Sequence, residues 1–243
     1  MTARPRAVLL DAGGVLLLPN PWIVSAVLRA AGGAMDADAV PRAHYAGVAA
    51  MDARKTTDWS YYHRVFVRFA GVPSGRIDDA MAGMATLFRS PVPTTWNVVP
   101  TGVIEQLRDL AATGVAIAVV SNADGLVEST LRRCEIPFDV VIDSTIVGFA
   151  KPQPEIFGFA LEKLNVAAAD AVHVGDMASA DVDGARAAGV RPLHLDPFGD
   201  CPYPADHHEH VRTLADVVAI AAGADNSNGV RALGSPPGSN AVG

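Results

Sequence analysis

The sequence predicts an α/β fold, a doubly wound parallel sheet interrupted after its first strand by an all-helical block. Three observations carry that expectation. Short apolar runs rich in Val, Ile and Leu recur at 7–10, 115–120, 140–142 and 171–174, as in strands buried on both faces. Amphipathic helical patterns separate the later runs, which is how parallel strands are joined. From about residue 19 to residue 95, helical periods follow one another with no strand among them.

Taken in order, the first strand, Ala7–Leu10, ends at Asp11 and turns at Gly13-Gly14. The helical block holds Trp22–Ala31, Pro41–Ala53, Asp58–Ala70 and Arg76–Phe88, with turns at Gly32-Gly33, Gly71-Val72-Pro73 and Pro91-Val92-Pro93. Val103–Ala112 puts apolar residues at 103, 104, 107, 110 and 111 and stops at Gly114. The second strand, Val115–Val120, runs into Ser121-Asn122, and a helix over Asp124–Cys134 is expected with Asp124 as its cap. Val140–Ile142 is the third strand. Pro154 suits the first position of a helix over Pro154–Leu164. The fourth strand, Ala171–Val174, leads to Gly175-Asp176 and then to a helix over Asp181–Ala188 that ends at Gly189, where a plain capping role for Asp181 is the alternative to a chemical one. Residues 1–18 and 96–223 are thus expected to form the core and 19–95 a cap. The Gly/Ser/Asn/Pro-rich stretch 224–243 is expected to be a disordered tail.

The 243 residues, half of them hydrophobic, suffice for one sizeable core with a smaller insertion. Acidic residues outnumber basic ones, 26 to 19, and no Lys/Arg run breaks the balance, which argues against nucleic acid or an anionic membrane as partner. No stretch is long and apolar enough to span a bilayer. Asp11 interrupts an N-terminal run that would otherwise read as a signal peptide, and Pro19 and Pro21 stand where a small-residue cleavage site belongs. A cytoplasmic protein is expected. Cys134 and Cys201 show neither CxxC spacing nor a metal pattern, so both are expected as reduced thiols. The run His207-His208-Glu209-His210 reads as a solvated polar loop. Lysines occur only at 55, 151 and 163, so the place of each is informative.

Open parallel sheets bind ligands beyond the carboxyl ends of their strands. Asp11, Ser121 and Asn122, Lys151, and Asp176 with Asp181 should therefore meet in space. Their order is strand–Asp, strand–Ser-Asn, Lys-Pro, and Gly-Asp with a second Asp five residues on. It resembles the haloacid dehalogenase superfamily of hydrolases, mostly phosphatases, over about residues 5–18 and 96–200. The helical insertion also sits where that family places a small cap. The resemblance implies a Rossmann-like core, Mg²⁺ as cofactor and a small phosphorylated metabolite as substrate. Asp11 would be nucleophile and metal ligand, with the Gly13 carbonyl and Asp176 as further ligands and Asp181 in support. Ser121 would donate to a phosphate oxygen, and Lys151 would counter the charge of nucleophile and phosphoryl group. Backbone N–H groups at Ala12, Gly13 and Asn122 would add to the anion cradle.

The chain departs from the family at one place. Its phosphatases carry a second Asp two positions beyond the nucleophile, which protonates the leaving oxygen and then activates water. Gly13 stands there, and glycine can do neither. Loss of a general acid–base costs about 10²–10⁴ in rate. Three readings stay open. One is a phosphohydrolase with proton help from water, the substrate or a cap residue among His44, Tyr45, Asp52, Lys55, Asp58 and His63. A second is phosphonatase-like C–P hydrolysis through Lys55, since members with that activity have Ala at this position and a Schiff-base lysine in the cap. The third is a metabolite binder of little activity.

Overall fold

Strand β1 (Ala7–Leu10) has no exposed residue because it lies inside a six-stranded sheet. The structure, a computed structural model, describes residues 4–90, 95–204 and 206–223. With β4 (Ala116–Ser121), β5 (Val140–Asp143), β6 (Ala171–Gly175), β7 (Arg191–Leu195) and β8 (Glu209–Val211), β1 forms a parallel sheet of order β5-β4-β1-β6-β7-β8. Strand order reverses at β1, where such sheets open a crevice at their carboxyl edge.

Alternation along the strands divides the core. Val8, Leu10, Val119 and Val174 meet α5 (Val103–Ala112), α6 (Val127–Arg133) and α10 (Leu214–Ala221), whose inward residues include Leu107, Leu131 and Val217. Ala7, Leu9, Ala118 and Val120 face the other way, onto Ile156, Phe157 and Ala160 of α8 (Glu155–Leu164), which follows the single turn α7 (Ser144–Val147), and Ala185 of α9 (Asp183–Ala187). Helices therefore cover both faces, as expected.

Helices α1 (Pro21–Ala30), α2 (Val40–Asp52), α3 (Ser60–Phe69) and α4 (Ile77–Phe88) pack around their own centre of Leu28, Met51, Tyr62, Phe66 and Met84. Two short strands, β2 (Leu18–Pro19) and β3 (Trp96–Val98), pair antiparallel where the chain leaves for this block and returns from it. Asn20 reinforces that joint: its N–H donates to the Thr95 carbonyl at 2.7 Å, and its amide donates to Asn97 at 3.0 Å. The same side chain caps α1 by accepting from the N–H groups of Trp22 and Ile23.

Several local expectations need correction. Strands β7 and β8 carry no long apolar run and escape a periodicity reading. Because β8 pairs with β7, the His207–His210 run is not a solvated loop: His208 is buried and His210 lies half-buried on the strand. Asp124 accepts from Leu126 N–H, and α6 starts only at Val127, so Asp124 turns the chain ahead of the helix without being its terminal cap. Pro154 precedes α8, whose first residue is Glu155. Asp181 caps nothing; it lies within a π-turn over Ala178–Val182 that runs into α9. The turn at Pro91-Val92-Pro93 and the tail 224–243 lie outside the described residues. Among the described residues, no helix is long and apolar enough to cross a membrane.

Candidate active site

Asp11 follows β1 directly, its N–H still donating to the Val174 carbonyl at 2.8 Å. The turn beyond it is pinned from inside. The Ala12 carbonyl accepts from Leu16 and Leu17, Gly14 donates to Leu17, and the Tyr45 hydroxyl of α2 donates to the Gly14 carbonyl at 2.6 Å. None of these bonds uses the Gly13 carbonyl. Gly14, at φ +73°, is required twice over. Its conformation is left-handed, and a Cβ there would lie 2.1 Å from Asp176 Oδ2. At Gly13 a Cβ would have ordinary contact with the Trp96 ring, at 3.6 Å.

Lys151, from the loop before α8, is buried with its Nζ 2.8 Å from Asp11 Oδ1 and 2.6 Å from Asp181 Oδ1. Asn122 sets this reach. Its side chain accepts from the Lys151 N–H at 2.7 Å and donates to the Lys151 carbonyl at 2.9 Å. The side-chain amide is thus committed to placing the lysine, a task separate from the anion cradle expected of the Asn122 backbone N–H. Ser121 ends β4, buried at the edge of the same cleft.

Asp181 is held from three sides, by Lys151, by His173 Nε2 at 2.9 Å and by the Met177 N–H at 3.0 Å. Burial would raise its carboxyl, but Lys151 and the His173 bond prevail and hold it well below the usual carboxylate range. Lys151 shows the converse: burial opposes its charge, yet Asp11 and Asp181 keep the ammonium well above the usual lysine range. Asp11 fares differently. Burial, with repulsion from Asp181 and Asp176, outweighs Lys151 and pushes it up to about 7. Asp11, Asp176 and Asp181 each place a carboxylate oxygen within 4.8 Å of the others. A divalent ion would relieve that crowding, and hard oxygens of this kind suit Mg²⁺.

Gly175 permits the closeness, since a Cβ there would fall 2.0 Å from the Asp181 carboxyl carbon. Gly175→Ala is expected to destabilise the fold by about 1–3 kcal/mol through overpacking, measured as a lower urea midpoint.

The helical block contributes more than its sequence signals. His44 Nε2 lies 2.9 Å from Asp176 Oδ2, and its Nδ1 lies 2.9 Å from the Tyr62 hydroxyl. Asp52, at the end of α2, accepts from the N–H groups of Ala178 and Ser179 and from the Ser179 hydroxyl, just past Asp176. Asp58 and His63 line the cleft. Lys55 does not; it is exposed in a turn after α2. His173, in the middle of β6 with no exposure, gave no sign in the sequence: within an apolar strand it reads as one more core position. The cleft between block and sheet measures ≈ 750 Å³, and Trp59, Phe88, Arg89 and Trp96 line it together with the carboxylates.

Residues 5–189 match the family model described as haloacid dehalogenase-like hydrolase. Haloacid dehalogenase-like hydrolase domain-containing protein 3 of Bos taurus is 37% identical over 123 residues, 47% of this chain and 49% of that protein. The ribulose-1,5-bisphosphate 5-phosphatase of Halopiger xanaduensis is 31% identical over 140 residues, 56% of this chain and 57% of that one. The chain thus spans about half the length of the curated relatives it matches. Among solved structures, the HAD-hydrolase YfnB of Bacillus subtilis, bound to magnesium, superposes with a TM-score of 0.62 at 19% identity, covering 90% of this chain and 99% of that one. Fold, motif order and family model agree, and this chain belongs to the haloacid dehalogenase-like hydrolases.

Proposed function

We propose that the protein is a magnesium-dependent phosphohydrolase that transfers the phosphoryl group of a small phosphorylated metabolite to Asp11 and then to water. The observation that carries this reading is the 2.8 Å contact between Asp11 Oδ1 and Lys151 Nζ beside Asp176, at the carboxyl ends of β1 and β6. Asp11, Asp176 and the Gly13 carbonyl would hold the ion, with Asp181 acting through Lys151. When bound, Mg²⁺ neutralises phosphoryl oxygens and aligns them for attack.

The remaining work belongs to the chain. The Asp11 carboxylate attacks phosphorus, and the bond to the leaving oxygen breaks as the new P–O bond forms. Lys151 balances charge on both sides of that exchange. Ser121 and the N–H groups after Asp11 and at Asn122 line the anion's seat. His44 stands in for the acid absent at position 13: it gives its proton to the leaving oxygen and recovers one from the water that cleaves the aspartyl-phosphate. Its support is position, since Nε2 points at Asp176 beside Gly14, one residue past the missing carboxylate. Helices α1–α4 act as the cap. Trp59, Phe88 and Arg89 line a cleft with room for a substrate larger than phosphate itself. The Lys55 alternative has no such support, because its lysine is outside the cleft.

The test is a screen of small phosphate monoesters, including an activated aryl phosphate, with and without Mg²⁺. Magnesium-dependent turnover of at least one is expected. Binding of Mg²⁺ and a phosphate mimic with no hydrolysis above the buffer blank would make the protein a binder and end the reading. Gly13→Asp is the companion: position 13 has room for a Cβ, and the added acid should restore turnover of alkyl phosphates to a His44→Gln protein by at least about tenfold.

A further inference from the structure

We infer that His194, Cys201, His208 and His210 form a second metal site, suited to a borderline-soft divalent ion of the zinc class and separate from the carboxylate site. One ligand atom from each lies within 4.8 Å of all the others. The fold builds the cluster from adjacent elements. His194 of β7 and His210 of β8 are register partners across the parallel ladder, and the connection between the strands brings in Cys201 and His208.

Hydrogen bonds decide which way the nitrogens face. His194 Nε2 lies 3.0 Å from the Asp176 carbonyl, which can only accept, so that nitrogen carries the proton. Its Nδ1 then presents a lone pair to the cluster, 2.7 Å from His208 Nε2. Two ring nitrogens so close need a proton or a metal ion between them. Cys201 Sγ lies 3.5 Å from the same His208 Nε2. His210 Nε2 is buried with no hydrogen-bond partner, a costly state that an ion would end. Ligands around tetrahedral zinc sit roughly 3.3–3.7 Å apart, given bonds of about 2.0–2.3 Å. The 3.5 Å separation already lies in that range, and the 2.7 Å one reaches it with a small side-chain shift.

The cysteine is placed, not incidental. Asp196 folds the loop by accepting from the N–H groups of Gly199, Asp200 and Cys201, which turns the thiol back over the imidazoles. The same loop reaches the helical block through Arg42 and Asp200. An ion here would tie together the end of the sheet, this loop and, through His194, the peptide of Asp176. Orienting contacts of that kind are a regular part of metal sites. The donor chemistry separates the two sites: one thiol and three imidazoles favour zinc over magnesium, and the carboxylates the reverse.

The experiment is a cobalt titration of the full chain after dialysis against a strong chelator. One equivalent of Co²⁺ should give tetrahedral d–d bands and a near-ultraviolet thiolate-to-cobalt band. Zn²⁺ should abolish both, and excess Mg²⁺ should leave both in place. Cys201→Ser, a small change at a half-buried position, should remove the thiolate band while the circular dichroism stays that of wild type. His210→Ala should weaken cobalt affinity by at least about tenfold. Asp11→Asn should change neither band, so the result is independent of the phosphohydrolase reading. A chelated protein that binds cobalt without a thiolate band, or a band that survives Cys201→Ser, would overturn the inference.

Discussion

Asp11→Asn is expected to eliminate magnesium-dependent turnover of an activated aryl phosphate, with a rate loss on the order of 10⁴-fold or more. The amide keeps the shape of the side chain but has no anionic oxygen to attack phosphorus. Fold and mechanism separate cleanly in this variant. Asp11 is a carboxyl that burial, Asp181 and Asp176 all push toward its neutral form, so a neutral amide removes repulsion. Lys151 keeps Asp181 as its partner at 2.6 Å. The melting temperature of the metal-free variant is therefore expected to equal or exceed that of wild type. A variant that retained more than a hundredth of wild-type turnover would show that Asp11 is not the nucleophile.

The second large effect concerns His44→Gln. A general acid matters in proportion to how badly the leaving group needs a proton. Alkyl phosphates should slow by about 10²–10⁴-fold, whereas an aryl phosphate with an acidic phenol should slow far less. A plot of rate against leaving-group pKa would steepen. If His44 merely positioned Asp176 through its 2.9 Å contact, both substrate classes would fall together and the plot would keep its slope. Glutamine retains an amide able to bond Asp176, so the comparison isolates the proton.

Much of the fold was legible in the sequence because its central strands are buried on both faces and so read as unbroken apolar runs. Ala7–Leu10 and Val103–Ala112 appear at the expected residues, and the other central elements shift by a few positions. The edge of the sheet was illegible for the converse reason. Strands β7 and β8 carry His, Arg, Glu and Pro, and a pair such as Arg191 with Glu209 joins residues 18 apart, which no local pattern reveals. The site divides in the same way. Asp11, Lys151, Asp176 and Asp181 lie at strand ends and loops, and their order and spacing suffice to predict that they meet in space, as they do. His173 sits inside a strand, and Asn122 bonds a backbone 29 residues away, so their tasks follow only from tertiary contact. His44 and Asp52 were visible as candidates, but a helical period does not say which face meets the sheet.

The antiparallel joint of β2 and β3 has a mechanical consequence. Both chain crossings into the helical block run side by side, bonded to each other through Leu18–Val98 pairing and the Asn20–Asn97 contact. A ribbon of this kind bends about an axis across its width more readily than it shears, so the movement the joint favours is a swing, opposed by the bonds of α2 to Gly14, Asp176 and Ser179. Trp96 belongs to that ribbon and lies against Gly13. Such a swing would shift an indole beside the Asp11 loop, and a fluorescence signal from Trp96 would report the angle of the joint.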